Sequence, residues 1–394
     1  MTLSLQAIKK SLQANRQAPG ILEQLGVKYY RYLGRKSGTA GLRNRTIDEL
    51  PDDITLQTLA RNITTFAVII AFAVGALTTF ATIWVSVTYQ DVMAPVPYYA
   101  LYASVLVAML VLELVALYWL GIKTVYSLAC LTGQHQSVED FGLPVNYAMP
   151  NILARAALEL PDPVIHYLGI DPIKHLSRSK LFLVATLYKA KVVLSSVVVK
   201  YLLIRLAGKG SSRTIFNWVA VPITGLWDGF TLNKVARDAR LRLFGLKLTE
   251  HIVTHSLTDD LMARLSPAAH ECAIRAVAAS MVLAQSYHPN LLILLIRLSE
   301  AFQIKEGYAY DNWDDFIALL NQVTASERLL LLDLLSVAAA FDGQVSRLER
   351  RHLPEAFKDR TDHYMSRTNQ LTQLLVSGQL HAAKALCTFE LRPD

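Results

Sequence analysis

Two long apolar stretches dominate the pattern of hydrophobic and polar positions along the chain. The first covers residues 62–90 and has no charged residue, and the second covers residues 98–122 and has only Glu113. Each is longer than the ~20 residues that a helix needs to cross ~30 Å of hydrocarbon. The prolines of the VMAPVP stretch between them interrupt a helix. The pattern therefore predicts an antiparallel transmembrane hairpin over residues 62–122.

The distribution of charge predicts the orientation of this hairpin. Arg61 precedes the first stretch, Lys123 follows the second, and the connecting loop has no Lys or Arg. Residues 1–61, a basic N-terminal arm, have ten basic against five acidic side chains. Because basic residues beside a span favour the cytoplasmic side, both termini are expected in the cytoplasm, facing the anionic inner leaflet of the plasma membrane.

The rest of the chain predicts three further segments. Residues 123–180 are a proline-rich connector, and residues 181–256, with eleven basic and three acidic side chains, contain two apolar stretches that carry lysines. A second hairpin there would place a basic loop outside, so a helical pair at the membrane surface or against the bases of the spans is favoured. Residues 257–394 show the helical period without strand-like alternation and carry a net −4. The predicted fold is therefore all-α, a two-span membrane hairpin with a cytoplasmic helical bundle.

Helix-end signals are strongest in this acidic C-terminal module. Ser266-Pro267 is typical of an N-cap followed by proline in the first turn. Thr324-x-x-Glu327 and Ser346-x-x-Glu349 are two capping boxes, and Asp342-Gly343 is predicted to end the helix that lies between them.

The stretch FDGQVSRLE, residues 341–349, also raises the question of a cation site. An EF-hand needs oxygen ligands at alternating positions, and this loop has only Asp342 before its Gly, Gln and Val. Capping by Ser346 and Glu349 accounts for the pattern and is preferred. A weaker metal site that Asp342 and Glu349 share is the alternative.

Five other residues are candidate site residues. His251 and His255 are spaced to share a helical face and bind zinc, although the HExxH pattern is absent. Glu113 lies inside a predicted span, where an acid is a functional-site hypothesis. The simpler interpretation is a bond to a Thr or Ser of the neighbouring helix, or to its copy in an oligomer. Tyr310 and Trp313 lie in an aromatic and acidic stretch, which predicts a helix N-terminus or a partner-binding face.

Motifs for most enzymes and cofactors are absent. The sequence has no P-loop, no GxSxG and no nucleic-acid-binding pattern, and its three cysteines are scattered, which argues against a disulfide framework or a structural zinc site. No catalytic residue and no cofactor are predicted.

Several segments resemble one protein family. LELPDPVIHYLGIDP, LYKAKV, VAVPITGLWDGF and ARDARLRLFG, within about residues 140–360, are similar to a family of uncharacterised bacterial membrane proteins. Its members join a membrane segment to a C-terminal module similar to the tellurite-resistance TerB fold, for which metal binding at a DG turn has been proposed. The resemblance implies the bacterial inner membrane and no assigned reaction.

Three functions follow as hypotheses. The leading one is a membrane-anchored interaction or scaffold protein that docks a protein partner, with envelope or metal stress as the class of process considered. The first alternative is a small transporter or channel that uses Glu113. The second is a membrane-bound metal-dependent enzyme.

Overall fold

The computed structural model describes residues 21–36, 46–134, 149–157, 167–172, 213–304 and 310–391. Every secondary-structure element in these ranges is helical, which confirms the predicted all-α class for the described part of the chain. The α-helices, numbered in chain order, are α1 (Ile21–Lys36), α2 (Asp53–Tyr89), α3 (Pro95–Leu131), α4 (Met149–Ala157), α5 (Arg213–His251), α6 (Asp259–Ala263), α7 (Pro267–Ala284), α8 (Pro289–Ala301), α9 (Trp313–Leu320), α10 (Ala325–Ala338), α11 (Arg347–Phe357), α12 (Thr361–Ser377) and α13 (Leu380–Ala385).

The chain divides into two compact units. Unit 1 consists of residues 1–60, 126–175 and 237–394, and unit 2 consists of residues 61–125 and 176–236. The core of the predicted hairpin, 62–122, falls within unit 2. Helix α5 begins in unit 2 and ends in unit 1.

In unit 2, α2 and α3 are both long and apolar enough to cross a membrane. Each has 37 residues, about 55 Å of helix at ~1.5 Å per residue. Their outer faces carry large apolar side chains, among them Phe66, Leu77 and Trp119, which are 65%, 66% and 56% exposed. Apolar faces of this length are typical of helices that contact lipid.

The N-terminal half of α5 lies directly against α2. Gly225 and Gly229 form a GxxxG pair on α5, and a methyl group at Gly225 would lie 2.8 Å from the carbonyl oxygen of Phe72. Glycines at this spacing let two helix backbones approach closely. Residues 218–232 were expected at the membrane surface or at the bases of the spans. They pack instead along the middle of the first apolar stretch, because the glycines of α5 fit its backbone.

Unit 1 is a helical bundle built around α7. This helix is buried along most of its length and packs against α8, α9, α10 and α11, while α12 packs against α10, α11 and α13. The first turn of α2 also belongs to unit 1 and bonds to the last helix of the bundle. The Asp53 carboxylate accepts hydrogen bonds of 2.8 and 2.9 Å from the first amides of α13, at His381 and Ala382.

The predicted helix starts in unit 1 are confirmed. Ser266 caps α7 with Pro267 in its first turn, Thr324 and Glu327 form the capping box of α10, and Ser346 and Glu349 form that of α11. The predicted end of α10 is wrong by four residues: the helix stops at Ala338, and turns carry the chain to Gly343, whose φ is +79°. A side chain there would also collide with Leu241, so glycine is required twice over.

The packing of α5 on α2 predicts the effect of one methyl group. Gly225→Ala should lower the free energy of unfolding by about 1–3 kcal/mol, because the added Cβ overpacks the contact with the Phe72 backbone. The measurement is thermal melting of the detergent-solubilised chain. Gly34→Ala is the matched control, since nothing lies within 4 Å of its Cβ, and it should stabilise α1 by about 0.5–1 kcal/mol. Identical melting of Gly225→Ala and the unmodified protein would contradict this packing.

Candidate functional site

The two capping boxes have the same sequence pattern but differ in how fully the carboxylate of their glutamate is hydrogen-bonded. In the first, Glu327 is 6% exposed and both of its carboxylate oxygens are bonded. Oε1 accepts a 2.6 Å bond from the Ser266 amide, and Oε2 accepts bonds of 3.1 and 3.0 Å from the amide and hydroxyl of Thr324. Burial would raise the pKa of Glu327, but these hydrogen bonds outweigh it and lower the pKa below its ordinary value.

The second box leaves half of its carboxylate without a partner. Glu349 is fully buried, and its Oε2 accepts a 2.7 Å bond from the Ser346 amide. Its Oε1 is buried and has no hydrogen-bond partner among the described residues. Capping, preferred from the sequence, is thus confirmed but accounts for only one oxygen of Glu349.

Asp342 repeats this pattern on the turn before α11. Its Oδ1 accepts a 3.1 Å bond from the Gln344 amide, whereas its Oδ2 is buried and has no partner in the described part of the chain. Burial raises the pKa of Asp342 to about 7. Burial, together with the charge of Asp342, raises the pKa of Glu349 to about 8. The charge of Asp342 therefore acts on Glu349, and neither acid is well stabilised as a carboxylate.

Neighbouring helices hold this turn in place. The Ser346 hydroxyl donates a 2.8 Å bond to the carbonyl of Leu283 at the end of α7. The Asn290 side-chain amide donates to the carbonyls of Leu241 and Phe341, at 3.1 and 3.2 Å. The turn is therefore braced by α5, α7 and α8, and Asn290 is a contributor that local sequence motifs could not identify.

Among the described residues, no basic side chain forms an ion pair with either of these acids. Arg347, Arg350 and Arg351 lie on the same helix as Glu349 but are exposed to solvent, and the ion pairs of the described residues include none of them. A buried acid without a donor or a counter-charge is costly, so the pair favours an external proton or cation. Its donors are all oxygens, the atoms that Ca²⁺ and Mg²⁺ prefer. We call Asp342 and Glu349 the carboxyl pair.

His251 and His255 are brought together, as their spacing predicted. Their rings stack with centroids 5.1 Å apart, His251 at the end of α5 and His255 in the π-helical turn Ile252–Ser256. Burial, with the charge of Lys384 next in effect, lowers the pKa of His251 to about 4. Within the described residues no group of three His, Cys, Asp or Glu side chains is arranged to hold a metal ion, and the third ligand that zinc needs is not supplied here.

Tyr310 and Trp313 are engaged within unit 1. Tyr310 is only 4% exposed, and the Arg275 guanidinium lies 5.3 Å from its ring centroid. The Trp313 indole donates a 2.8 Å bond to Glu355 of α11. Asn312 caps α9, with Asp314 among the acids of its first turn, which confirms the helix N-terminus that this stretch predicted. Because Tyr310 is buried, it is not placed to anchor a partner on the surface.

Unit 2 contains buried acids of its own. Glu113 is 1% exposed and accepts a 2.6 Å bond from the Thr78 hydroxyl of α2, the simpler arrangement expected for it. Asp228 of α5 is 3% exposed and lies so close to Gly75 of α2 that any side chain there would clash with its carboxylate. Asp228 was not predicted as a site residue, although an acid inside the apolar GxxxG segment of α5 was a signal for one.

Comparisons with protein-family models, with curated proteins and with solved structures return no match. The site is therefore interpreted from its own geometry.

The two capping boxes predict opposite dependences of stability on pH. The pKa of Glu349 is raised above the ordinary value of 4.5 to about 8, so the folded state binds its proton more tightly than the unfolded state does. Stability from this group is fully present below about pH 4 and declines as the pH rises toward 8. Glu349→Gln should remove this decline and be more stable than the unmodified protein at pH 8, by roughly 1–3 kcal/mol at ~1.4 kcal/mol per pKa unit.

Glu327→Gln is the matched control. Because the pKa of Glu327 is lowered, its contribution is present at neutral pH and is lost as the pH falls through its folded-state pKa. This variant should lose stability at pH 7 and approach the unmodified protein in acid. Chemical unfolding of each purified protein from about pH 2 to 8 measures both effects, and parallel pH profiles for the two variants would contradict the assignment.

Proposed function

We propose that this chain is a membrane-anchored interaction protein of the bacterial inner membrane, whose helical unit 1 docks a partner in response to a divalent cation. The observation that carries the proposal is the carboxyl pair. Each of its two acids has one buried oxygen without a hydrogen-bond partner among the described residues, and the pair lies on a turn that leads into an exposed basic helix face. Each part of this function rests on a separate feature of the chain.

The anchor is supported by α2 and α3. Both are long and apolar enough to cross a membrane, and their outward faces expose large hydrophobic side chains. Arg61 and Lys123 flank the apolar stretches, and the loop between them has no basic residue. By the positive-inside rule, this charge pattern supports a cytoplasmic position for both ends of the chain.

The carboxyl pair supports a cation-binding role. Ca²⁺, Mg²⁺ and Mn²⁺ are bound mainly by oxygen ligands, with water completing the shell where the protein offers few. A cation would neutralise both acids and use the oxygens that capping leaves unbonded. Because protons compete for the same oxygens, affinity should rise between pH 6 and 8, where the pair loses its protons.

The exposed face of α11 supports the docking role. Arg347, Arg350 and Arg351 lie on one side of the helix, opposite its buried side, and begin directly after the turn of the carboxyl pair. Arg347 begins the first turn of α11, where a cation is unfavourable because it opposes the helix dipole. An acidic segment of a protein partner would offset that cost. This face is the docking surface we propose, and it is distinct from Tyr310 and Trp313.

Titration of the purified, detergent-solubilised chain with Ca²⁺, Mg²⁺ and Mn²⁺ at pH 7.5 tests the cation site. At least one of these ions should raise the melting temperature by several degrees, since a ligand that binds only the folded state stabilises it. Asp342→Asn and Glu349→Gln should abolish the effect, and Glu327→Gln, the matched capping box, should retain it.

The docking role has its own readout. Partner recovery from host membranes should depend on the cation, and Arg350→Glu with Arg351→Glu should abolish recovery without changing the cation effect on melting. A melting temperature insensitive to all three ions would exclude the cation site. Recovery that is unchanged in the arginine variant would exclude the α11 face.

Asp228 favours a second candidate function, a proton or cation path through unit 2. Two acids, Glu113 and Asp228, are buried among the apolar helices, and α2 joins them: Thr78 bonds Glu113 and Gly75 contacts Asp228. The hydroxyls of Thr79 and Thr224 bond each other at 2.7 Å in the same layer. Acids buried within a span are typical of ion pathways.

Proton flux into liposomes containing the purified chain tests this path. A path predicts flux that Glu113→Gln and Asp228→Asn each abolish, while Thr79→Val, which leaves both acids in place, retains part of it. The absence of flux from the unmodified protein would assign these acids to helix packing alone.

A further inference from the structure

Helix α1 presents three different surfaces around its axis. One side is buried in unit 1: Glu23 pairs with Arg155 of α4 at 2.8 Å, and Tyr30, 2% exposed, packs edge-on against Tyr126 with ring centroids 5.1 Å apart. Val27 is buried on the same side. The helix is therefore fixed to the bundle by this side, and the remainder of its circumference faces outward.

An apolar stripe runs along one part of the outward surface. Leu22, Leu25 and Tyr32 are 57%, 49% and 54% exposed, and Tyr29 stacks on Tyr32 with centroids 6.2 Å apart. At about 100° per residue these four positions fall within roughly 80° of the helix circumference. Four large apolar or aromatic side chains that line up at the surface of a folded unit are typical of an interaction face.

A basic strip borders the apolar stripe. Lys28, Arg31 and Arg35 are exposed and lie beside it, and Lys36 follows at the end of the helix. None of the four takes part in the ion pairs of the described residues. The acid of this helix, Glu23, is buried and paired with Arg155, so the outward surface carries positive charge without compensation from its own helix.

An apolar stripe bordered by cations fits one environment in particular. Helices that lie in a bilayer interface bury an apolar side among the acyl chains and hold Lys and Arg at the anionic headgroups. Tyrosine is favoured at this depth because its ring is apolar and its hydroxyl polar. A nucleic acid would use the cations but leave the leucines in water, and an acidic protein would need an apolar patch of matching length.

We propose that the outward face of α1 lies in the interface of an anionic phospholipid bilayer. This inference rests on the proposed anchoring of the same chain by α2 and α3. Only 25 residues separate Lys36 from Asn62, where the first apolar stretch begins. This short connection in sequence keeps the face near the bilayer, so a weak intrinsic affinity suffices. Each cation near an anionic surface contributes on the order of 1 kcal/mol.

Spin labels on the full-length chain in nanodiscs test the proposal. Leu25→Cys reports the apolar stripe, Gln24→Cys the polar side of the same helix turn, and Leu77→Cys the outer face of α2. In nanodiscs that contain phosphatidylglycerol, the label at 25 should be several-fold more accessible to oxygen, relative to a water-soluble nickel reagent, than the label at 24. Reversing the charges of Lys28, Arg31 and Arg35 to glutamate should abolish the difference. In nanodiscs of phosphatidylcholine alone, the labels at 25 and 24 should likewise show no difference in accessibility.

Any result other than these overturns the inference. The label at residue 77 shows whether the membrane anchor fails together with the inference or still holds. Lipid exposure at 77 with water exposure at 25 leaves α2 in the membrane and α1 outside it. Water exposure at both positions overturns the anchor as well. Equal lipid exposure at 25 in both compositions overturns the requirement for anionic lipid. Low accessibility to both reagents at 25 assigns the stripe to a protein contact instead.

Discussion

A carboxyl group removed from water must obtain a hydrogen-bond donor, a proton or a cation, and this constraint organises the chain. Glu327 obtains three donors from Ser266 and Thr324 and stays ionised. Glu113 receives the Thr78 hydroxyl in the apolar layer of unit 2. Asp342 and Glu349 are each given one backbone amide, and that shortfall makes their turn the best candidate for chemistry in unit 1.

The same constraint links packing to function. Two hydrogen bonds hold the turn of the carboxyl pair: Ser346 donates to Leu283 of α7, and Asn290 of α8 donates to Phe341. A change of charge in the turn therefore acts on a structure that is held in place. Since Gly343 lies against Leu241 and tolerates no side chain, the turn has little room to relax. Neutralising the pair relieves repulsion within the turn that begins α11. The exposed arginines of α11 directly follow this turn, so they are the basic surface residues nearest in sequence to the change in charge.

Local and periodic features could be predicted from the sequence, and features that depend on distant neighbours could not. The long apolar helices and the caps at Ser266, Thr324 and Ser346 follow from patterns within a few residues, and the structure confirms them. The contact of Gly225 with Phe72 joins residues more than a hundred positions apart, so the packing role of Gly225 could not be predicted from its sequence neighbours. Burial of Tyr310 depends on Arg275, and the exposure of Leu25 depends on which side of α1 meets α4. Hydrophobicity alone does not distinguish a face that packs inside the protein from one that meets a membrane.

The central claim is that the carboxyl pair takes up an external proton or cation, and infrared difference spectroscopy measures this most directly. The spectrum of the unmodified protein minus that of Glu349→Gln, near pH 6.5, isolates the carbonyl band of a protonated Glu349 from those of other acids. The account predicts this band at neutral pH and its replacement by carboxylate bands when a bound divalent cation displaces the proton. A difference spectrum that shows only ionised carboxylate at pH 6.5, unchanged by Ca²⁺, Mg²⁺ or Mn²⁺, would contradict it.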